Sequence, residues 1–256
     1  MSDHRAARAA LVTGGAVRIG RAIVDALVDA GYAVAIHSNN SRDIAEAACK
    51  EIEARGKRAC VVAGNLADHS AVLRLVPEAA KAIGPLTLLV NNAGAFEPDG
   101  IGALDRDLFD KQFAVNLRAP LFLSEAFAAQ AKAGSDASIV NILDQRIYKP
   151  TPNFISYSLT KFALHTATTT LAQALAPGVR VNAVAPGPTL PSPRQDENAF
   201  AAQAAALPLG RGPQPRDVAE AVVYLAGARG VSGVTIAVDG GQHLAWQTPD
   251  TVGIEE

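Results

Sequence analysis

The 256-residue sequence predicts an α/β fold, a single doubly wound parallel sheet of about seven strands with helices on both faces. Three observations carry this reading. Apolar, β-branched runs alternate with Ala-rich stretches of helical spacing from residue 8 to residue 239. The runs are continuously apolar rather than alternating, as strands covered on both faces are. Most connections are short, with no low-complexity linker or shift in composition, so residues 1–256 are expected to form one domain.

In chain order, strands are expected at 9–13 (AALVT), 32–37 (YAVAIH), 59–64 (ACVVAG), 86–90 (LTLLV), 138–143 (SIVNIL), 179–185 (VRVNAVA) and 234–239 (VTIAVD). Helices are expected near 18–30, 41–55, 68–83, 105–133, 154–176 and 215–228; in the first, Ile19, Ile23, Leu27 and Ala30 recur at helical spacing. Right-handed crossovers then place helices on both faces. Two Pro- and Gly-rich connections, 94–104 and 186–214, are longer than the rest, and both leave the carboxyl edge of the sheet, where open α/β folds bind ligands. The second is read as a substrate loop. The tail, 240–256, carries the one tryptophan, Trp246, and resembles neither strand nor helix.

Lys and Arg total 23 against 25 Asp and Glu, a net charge of -2 with no basic stripe, which argues against a nucleic-acid partner. No run approaches the ~18 apolar residues of a membrane span, and MSDHRAARAALVTGG passes from polar residues straight into a strand-like run. The expectation is a cytoplasmic protein with no membrane partner. Cys49 and Cys60 form no CxxC pair and are expected as free thiols, with no metal site.

After the first strand, Thr13-Gly14-Gly15-Ala16-Val17-Arg18-Ile19-Gly20 opens a helix. Glycines there allow a tight turn and let backbone N–H groups approach a pyrophosphate at the positive end of the helix dipole. The second strand ends in His37-Ser38-Asn39-Asn40-Ser41-Arg42, with no acidic residue to hold a ribose 2′-hydroxyl and repel a 2′-phosphate. Hydroxyl, amide and guanidinium groups can donate to that phosphate, so NADP(H) is the expected cofactor. Arg18 and Arg42 are the candidate cations. Arg42 reads equally well as a solvated first-turn residue of the next helix.

Tyr157 and Lys161 lie four apart on the helix near 154–176, hence on one face, and a nearby ammonium lowers a phenol pKa towards the range useful for proton transfer. Asp144, thirteen residues before Tyr157, ends the fifth strand, where the chain leaves the sheet and can bring a carboxyl to that phenol or cap the following turn. Asn116 falls inside the long fourth helix and can bond a backbone carbonyl or a water if that helix is locally opened.

As a set, TGGAVRIG, Asn91-Asn92-Ala93-Gly94, Asn116, the Tyr157 to Lys161 spacing and Pro186-Gly187 resemble the short-chain dehydrogenases/reductases over residues 8 to 242. The resemblance implies a Rossmann-type fold, a nicotinamide cofactor and a homotetramer. It implies that Tyr157 moves the proton, that Lys161 holds the nicotinamide ribose and that Asn116 orders a relay water. Gly14, Arg18, Ile19, Gly20, Asn92, Ala93, Gly94, Pro186, Gly187 and Thr189 would line the cofactor, with Asn65 and Leu66 at the adenine. Arg18 in place of the second loop glycine, Asp144 in place of the usual serine, and Phe96 two positions after the NNAG turn are similar to the pteridine reductases and bacterial dihydromonapterin/dihydrofolate reductases. In those enzymes the aromatic ring and the nicotinamide sandwich the pterin. The run Asp239-Gly240-Gly241-Gln242-His243-Leu244 also resembles the latter group, although Gly94 stands where the protozoan enzymes carry serine.

The resulting expectation is NADPH-dependent reduction of a small-molecule dihydropterin, with Asp144, Tyr157, Lys161 and Asn116 as the catalytic group and Arg18 and Phe96 clamping the substrate. The alternatives are a carbonyl reductase or alcohol dehydrogenase of the same family, and a cofactor-binding module without turnover. His243 and Trp246 are expected either to cap a neighbouring subunit's pocket or to pack between subunits.

Overall fold

The computed structural model describes residues 8–132, 134–192 and 194–245. Seven parallel strands form one sheet in the order β3-β2-β1-β4-β5-β6-β7. They are β1 (Ala9–Val12), β2 (Ala33–Ser38), β3 (Ala59–Ala63), β4 (Leu88–Asn91), β5 (Ala137–Ile142), β6 (Val179–Pro186) and β7 (Thr235–Val238). Each overlaps an expected strand. The helices are α1 (Arg18–Asp29), α2 (Arg42–Ala54), α3 (His69–Ile83), α4 (Arg106–Phe113), α5 (Ala119–Gln130), α6 (Ile155–Leu175), α7 (Glu197–Ala205) and α8 (Pro215–Gly227).

The strand pleat divides the core in two. Ala10 and Val12 of β1 face α1, α2 and α8, packing with Ile23, Leu27, Ile52 and Val222; Ala9 and Leu11 face α3, α5 and α6, packing with Leu75, Leu123 and Phe127. Both layers are lined by buried apolar side chains, which is why most strand sequences read as nearly continuous apolar runs. Two buried asparagines are linked across the sheet: Asn91 Nδ2 donates to Asn141 Oδ1 (2.9 Å), and Asn141 Nδ2 donates to Thr168 Oγ1 (3.0 Å). This ties β4 and β5 to α6, the helix that carries Tyr157.

Two expectations are corrected. The helix expected at 105–133 is interrupted by a π segment, Ala114–Arg118, between α4 and α5. The connection 186–214 contains α7, whose start is set by Asp196 accepting from the Ala199 N–H (2.7 Å). Its periodicity is hidden because no α7 residue is buried. Among the described residues no helix is long and apolar enough to cross a membrane, and no cluster of His, Cys, Asp and Glu is placed to hold a metal ion. Cys49 and Cys60 are free, and burial pushes both thiols up to about 11.

Candidate active site

The chain runs from β1 outwards to β3 and returns to β4 on the other side of β1, so the crevice beyond the carboxyl ends of β1 and β4 is the topological switch point. A cleft of about 780 Å³ opens there, lined by the loop after β1, the ends of β4, β5 and β6, and the loop after β6. Gly14, Arg18, Ile19, Gly20, Asn92, Ala93, Gly94, Phe96, Asp144, Tyr157, Lys161, Pro186, Gly187 and Thr189 all lie on its wall.

Glycine is required where backbones meet. A Cβ on Gly20 would lie 2.0 Å from the Gly14 carbonyl oxygen, and one on Gly187 2.7 Å from the Cα of Asp239. Gly14 itself has φ +62°. Val17 precedes α1 without a side-chain cap, leaving first-turn N–H groups without a side-chain acceptor at the positive end of the helix. The result is a backbone cradle suited to a diphosphate.

Arg18 stands in this cradle at φ +55°, a conformation that disfavours a side chain by about 1 kcal/mol. Its guanidinium crosses the cleft and donates to the carbonyls of Pro191 (3.0 Å) and Leu190 (3.4 Å). His37 departs from the expected role. It is 2% exposed, accepts from the Gly14 N–H through Nδ1 (3.1 Å) and bonds the Gly64 carbonyl through Nε2 (2.9 Å), so it braces the loop from behind rather than presenting a donor at the strand tip. Burial holds its pKa below the usual imidazole range, which keeps Nδ1 an acceptor. Ser38 Oγ accepts from the Ser41 N–H (3.1 Å), and Asn39 and Asn40 are exposed beside it. Arg42, in the first turn of α2, pairs with Glu46 (2.8 Å). Asn65 is exposed at the end of β3 and Leu66 is buried next to it. The residues at the β2 and β3 tips lie beyond the lining of the main cleft.

Tyr157 and Asp144 meet as expected: the phenol donates to Asp144 Oδ2 at 3.0 Å. Asp144 is also a cap, its Oδ1 accepting from the Arg146 N–H (2.8 Å), while Arg146 Nη1 donates to Oδ2 (3.1 Å). Both readings of this residue therefore hold at once. The expected lowering of the Tyr157 pKa is overturned. Burial and the adjacent Asp144 carboxylate push the phenol well above its usual range. Lys161 Nζ is 5.6 Å from the centre of the Tyr157 ring and donates instead to the Ile142 carbonyl (2.8 Å). Burial lowers Lys161 itself to about 8.

Asn116 sits in the π segment, where the helix opens as anticipated. Its carboxamide brackets one residue of the loop after β4: Oδ1 accepts from the Ala95 N–H (2.7 Å) and Nδ2 donates to the Ala95 carbonyl (2.9 Å). That loop carries Phe96, which stacks on Phe154 (4.5 Å, 14°) and meets Tyr157 edge-on (4.7 Å). Arg146 and Arg194 lie 5.3 Å from the centre of the Phe96 ring, and Arg194 also bonds Glu97 (2.9 Å) and the Phe96 carbonyl (2.9 Å).

Several of these residues escape a sequence reading. Phe154 and Arg146 are close in sequence to Tyr157 and Asp144, which is a usable hint. Asp99 has none: it receives the Ser156 N–H on both carboxylate oxygens (3.2 Å each) from 57 positions away, fixing the start of α6. Gln112, fully buried, donates to Ser156 Oγ (2.6 Å) from α4. In the tail, His243 turns to its own chain, bonding Asp239 (2.8 Å) with its ring 5.2 Å from that of Tyr148; Trp246 lies outside the described residues.

Comparison with known proteins gives concordant relatives. The family model described as Enoyl-(Acyl carrier protein) reductase matches residues 15–243. The structure is similar to FolM Alternative dihydrofolate reductase 1 from Brucella suis in complex with NADP, with 50% identity and a TM-score of 0.92 over 96% of this chain and 98% of that one. The Brucella canis counterpart, also complexed with NADP, is 48% identical with a TM-score of 0.90 and the same coverage. General stress protein 39 of Bacillus subtilis is 32% identical over 251 residues, 95% of this chain and 87% of that protein.

The left-handed backbone at Arg18 predicts that Arg18→Gly leaves the fold as stable as the parent or up to about 1 kcal/mol more stable. Chemical denaturation checks this; a clear destabilisation would mean that the bonds to Pro191 and Leu190 outweigh the strain.

Proposed function

The chain belongs to the short-chain dehydrogenase/reductase family, and we propose that it is an NADPH-dependent reductase of a dihydropterin, a class that includes dihydromonapterin, dihydrobiopterin and dihydrofolate. The Tyr157–Asp144 hydrogen bond carries this reading. A carbonyl substrate needs a donor to its oxygen, which a serine hydroxyl beside the tyrosine supplies. Reduction of the C6=N5 imine of a dihydropterin adds hydride at carbon and a proton at nitrogen, and a carboxylate that holds a protonated phenol suits that proton delivery. The Brucella relatives, described as alternative dihydrofolate reductases complexed with NADP, support both substrate class and cofactor.

The cradle of Gly14, Gly20 and Gly187 fits a diphosphate, and the tips of β2 and β3, without an acidic residue at 37–42, fit a 2′-phosphorylated adenosine. NADPH held there supplies the hydride. Tyr157, kept protonated by burial and by Asp144, donates its proton towards N5 as C6 is reduced, so the imine nitrogen becomes an amine. The ammonium of Lys161, anchored on the Ile142 carbonyl, has further N–H groups for the nicotinamide ribose and offsets the charge left on the phenolate. Asn116 holds Ala95, and so keeps Phe96 where a planar ring can stack against it. Arg18 is proposed to reach both phosphate and substrate once it leaves the carbonyls of Pro191 and Leu190. The whole chain is proposed to act as one cytoplasmic domain assembled as a homotetramer, with residues 186–214 as its substrate loop, as the family resemblance implies.

Following NADPH oxidation with dihydropterins beside a panel of ketones tests this directly. The expected result is turnover of a dihydropterin that falls about 10²-fold in Asp144→Ser. Turnover of ketones alone, undiminished in Asp144→Ser, would instead make the protein a carbonyl reductase. Cofactor choice is checked at Ser38: Ser38→Asp keeps an acceptor for the Ser41 N–H but adds negative charge, so NADPH binding should weaken far more than NADH binding. Equal weakening would remove the 2′-phosphate assignment. The pH profile has a defined sign. Tyr157 stays protonated well past its usual range, whereas Lys161 is charged below about 8 and loses its charge above it. Hence kcat/KM falls as pH rises through about 8, and a rate flat to pH of about 10 would exclude Lys161 as the controlling group.

A further inference from the structure

Two one-turn 3-10 helices, Gln145–Ile147 and Gln242–Leu244, pack on each other beside Asp144. Gln145 is 7% exposed and Gln242 is half-buried; both line the cleft, and the Oε1 of each is buried without a hydrogen-bond partner. Arg146, next to Gln145 in the chain, is also on the cleft wall, and its Nε is likewise buried and unpartnered while its Nη1 and backbone N–H hold Asp144. Folded proteins leave few buried polar atoms unpaired. Three of the seven such atoms among the described residues belong to this one wall.

We propose that Gln145 and Gln242 form an acceptor subsite for neighbouring N–H donors of the substrate, with Arg146 Nε supplying a donor to the same edge. The chemistry that matches is the 2-amino-4-oxopyrimidine edge of a pterin, which presents an amino group and a ring N–H next to a carbonyl oxygen. A ketone or aldehyde presents only an acceptor and leaves both carboxamide oxygens unmet, so this wall selects pterins over carbonyl compounds. The inference rests on the dihydropterin reading above and adds the residues that discriminate.

The test compares a dihydropterin with the corresponding dihydrolumazine, in which an oxo group replaces the 2-amino group. The parent protein should favour the pterin by about tenfold or more in kcat/KM, since a site built to receive a donor rejects an analogue lacking it. Gln145→Leu and Gln242→Leu should each raise KM for the pterin and shrink the preference to about threefold or less, with kcat and melting temperature near those of the parent. A preference unchanged in both variants, or a KM rising equally for the two substrates, overturns the subsite and leaves ordered water as the partner of these oxygens. The two residues lie on separate segments, so a folding defect in one variant leaves the other informative. No turnover of either compound by the parent would defeat the dihydropterin reading and this subsite with it, whereas turnover without discrimination defeats the subsite alone.

Discussion

The site depends on a knot of hydrogen bonds that joins the ends of β1 and β4. Thr13 Oγ1 receives the N–H groups of Asn92 (2.9 Å) and Ala93 (3.0 Å), and Asn92 Nδ2 returns bonds to the carbonyls of Thr13 (2.8 Å) and Gly14 (3.2 Å). β1 and β4 pair in parallel, but the connections after them diverge to opposite faces of the sheet, so the loops beyond the ladder need bonds of their own to stay together. The knot satisfies backbone groups that would otherwise be unpaired near the core, and it fixes the spacing between the glycine cradle and the loop that carries Phe96. His37 completes it from the other side by accepting from Gly14.

A second set of long-range bonds holds the chemical groups at a fixed distance from that cradle. Asp99 caps the first turn of α6, Gln112 reaches Ser156 from α4, and the Asn91–Asn141–Thr168 chain pins the middle of α6 to the sheet. Tyr157 is therefore positioned from three directions, while Asp144 is held by the turn it caps. Such convergence on rigid elements is what keeps a donor and an acceptor aligned before any ligand arrives. Strained backbone appears beside it: Arg18 and Phe154 both adopt left-handed conformations, and both line the cleft.

The strands and most helices were legible because the core is apolar on both sheet faces, which writes the fold directly into continuous runs. The meeting of Asp144 and Tyr157 was legible from strand-end position and spacing, and the opening of the helix at Asn116 from a polar residue in an otherwise packed helix. Three features were not. The role of His37 depends on Gly64, a residue just past the end of the neighbouring strand β3, and no local pattern reports such a bond. The charge state of Tyr157 follows from burial and from the near carboxylate, which outweigh a lysine that helical spacing alone places close by. The helix α7 has no buried face, so its residues carry no periodicity to detect.

The two cysteines have a practical bearing on the cleft. Cys49 is buried on the core face of α2 and Cys60 is partly covered in β3, and with both thiols pushed up to about 11 almost none of either is thiolate near neutral pH. Alkylating reagents and mild oxidants have little to attack on the native chain. A single exposed cysteine introduced on α7 would therefore accept a fluorescent dye selectively, in the parent background and without removing either natural thiol. The segment that lines the cleft through Phe200 and Gln203 can in this way be watched directly, independently of turnover.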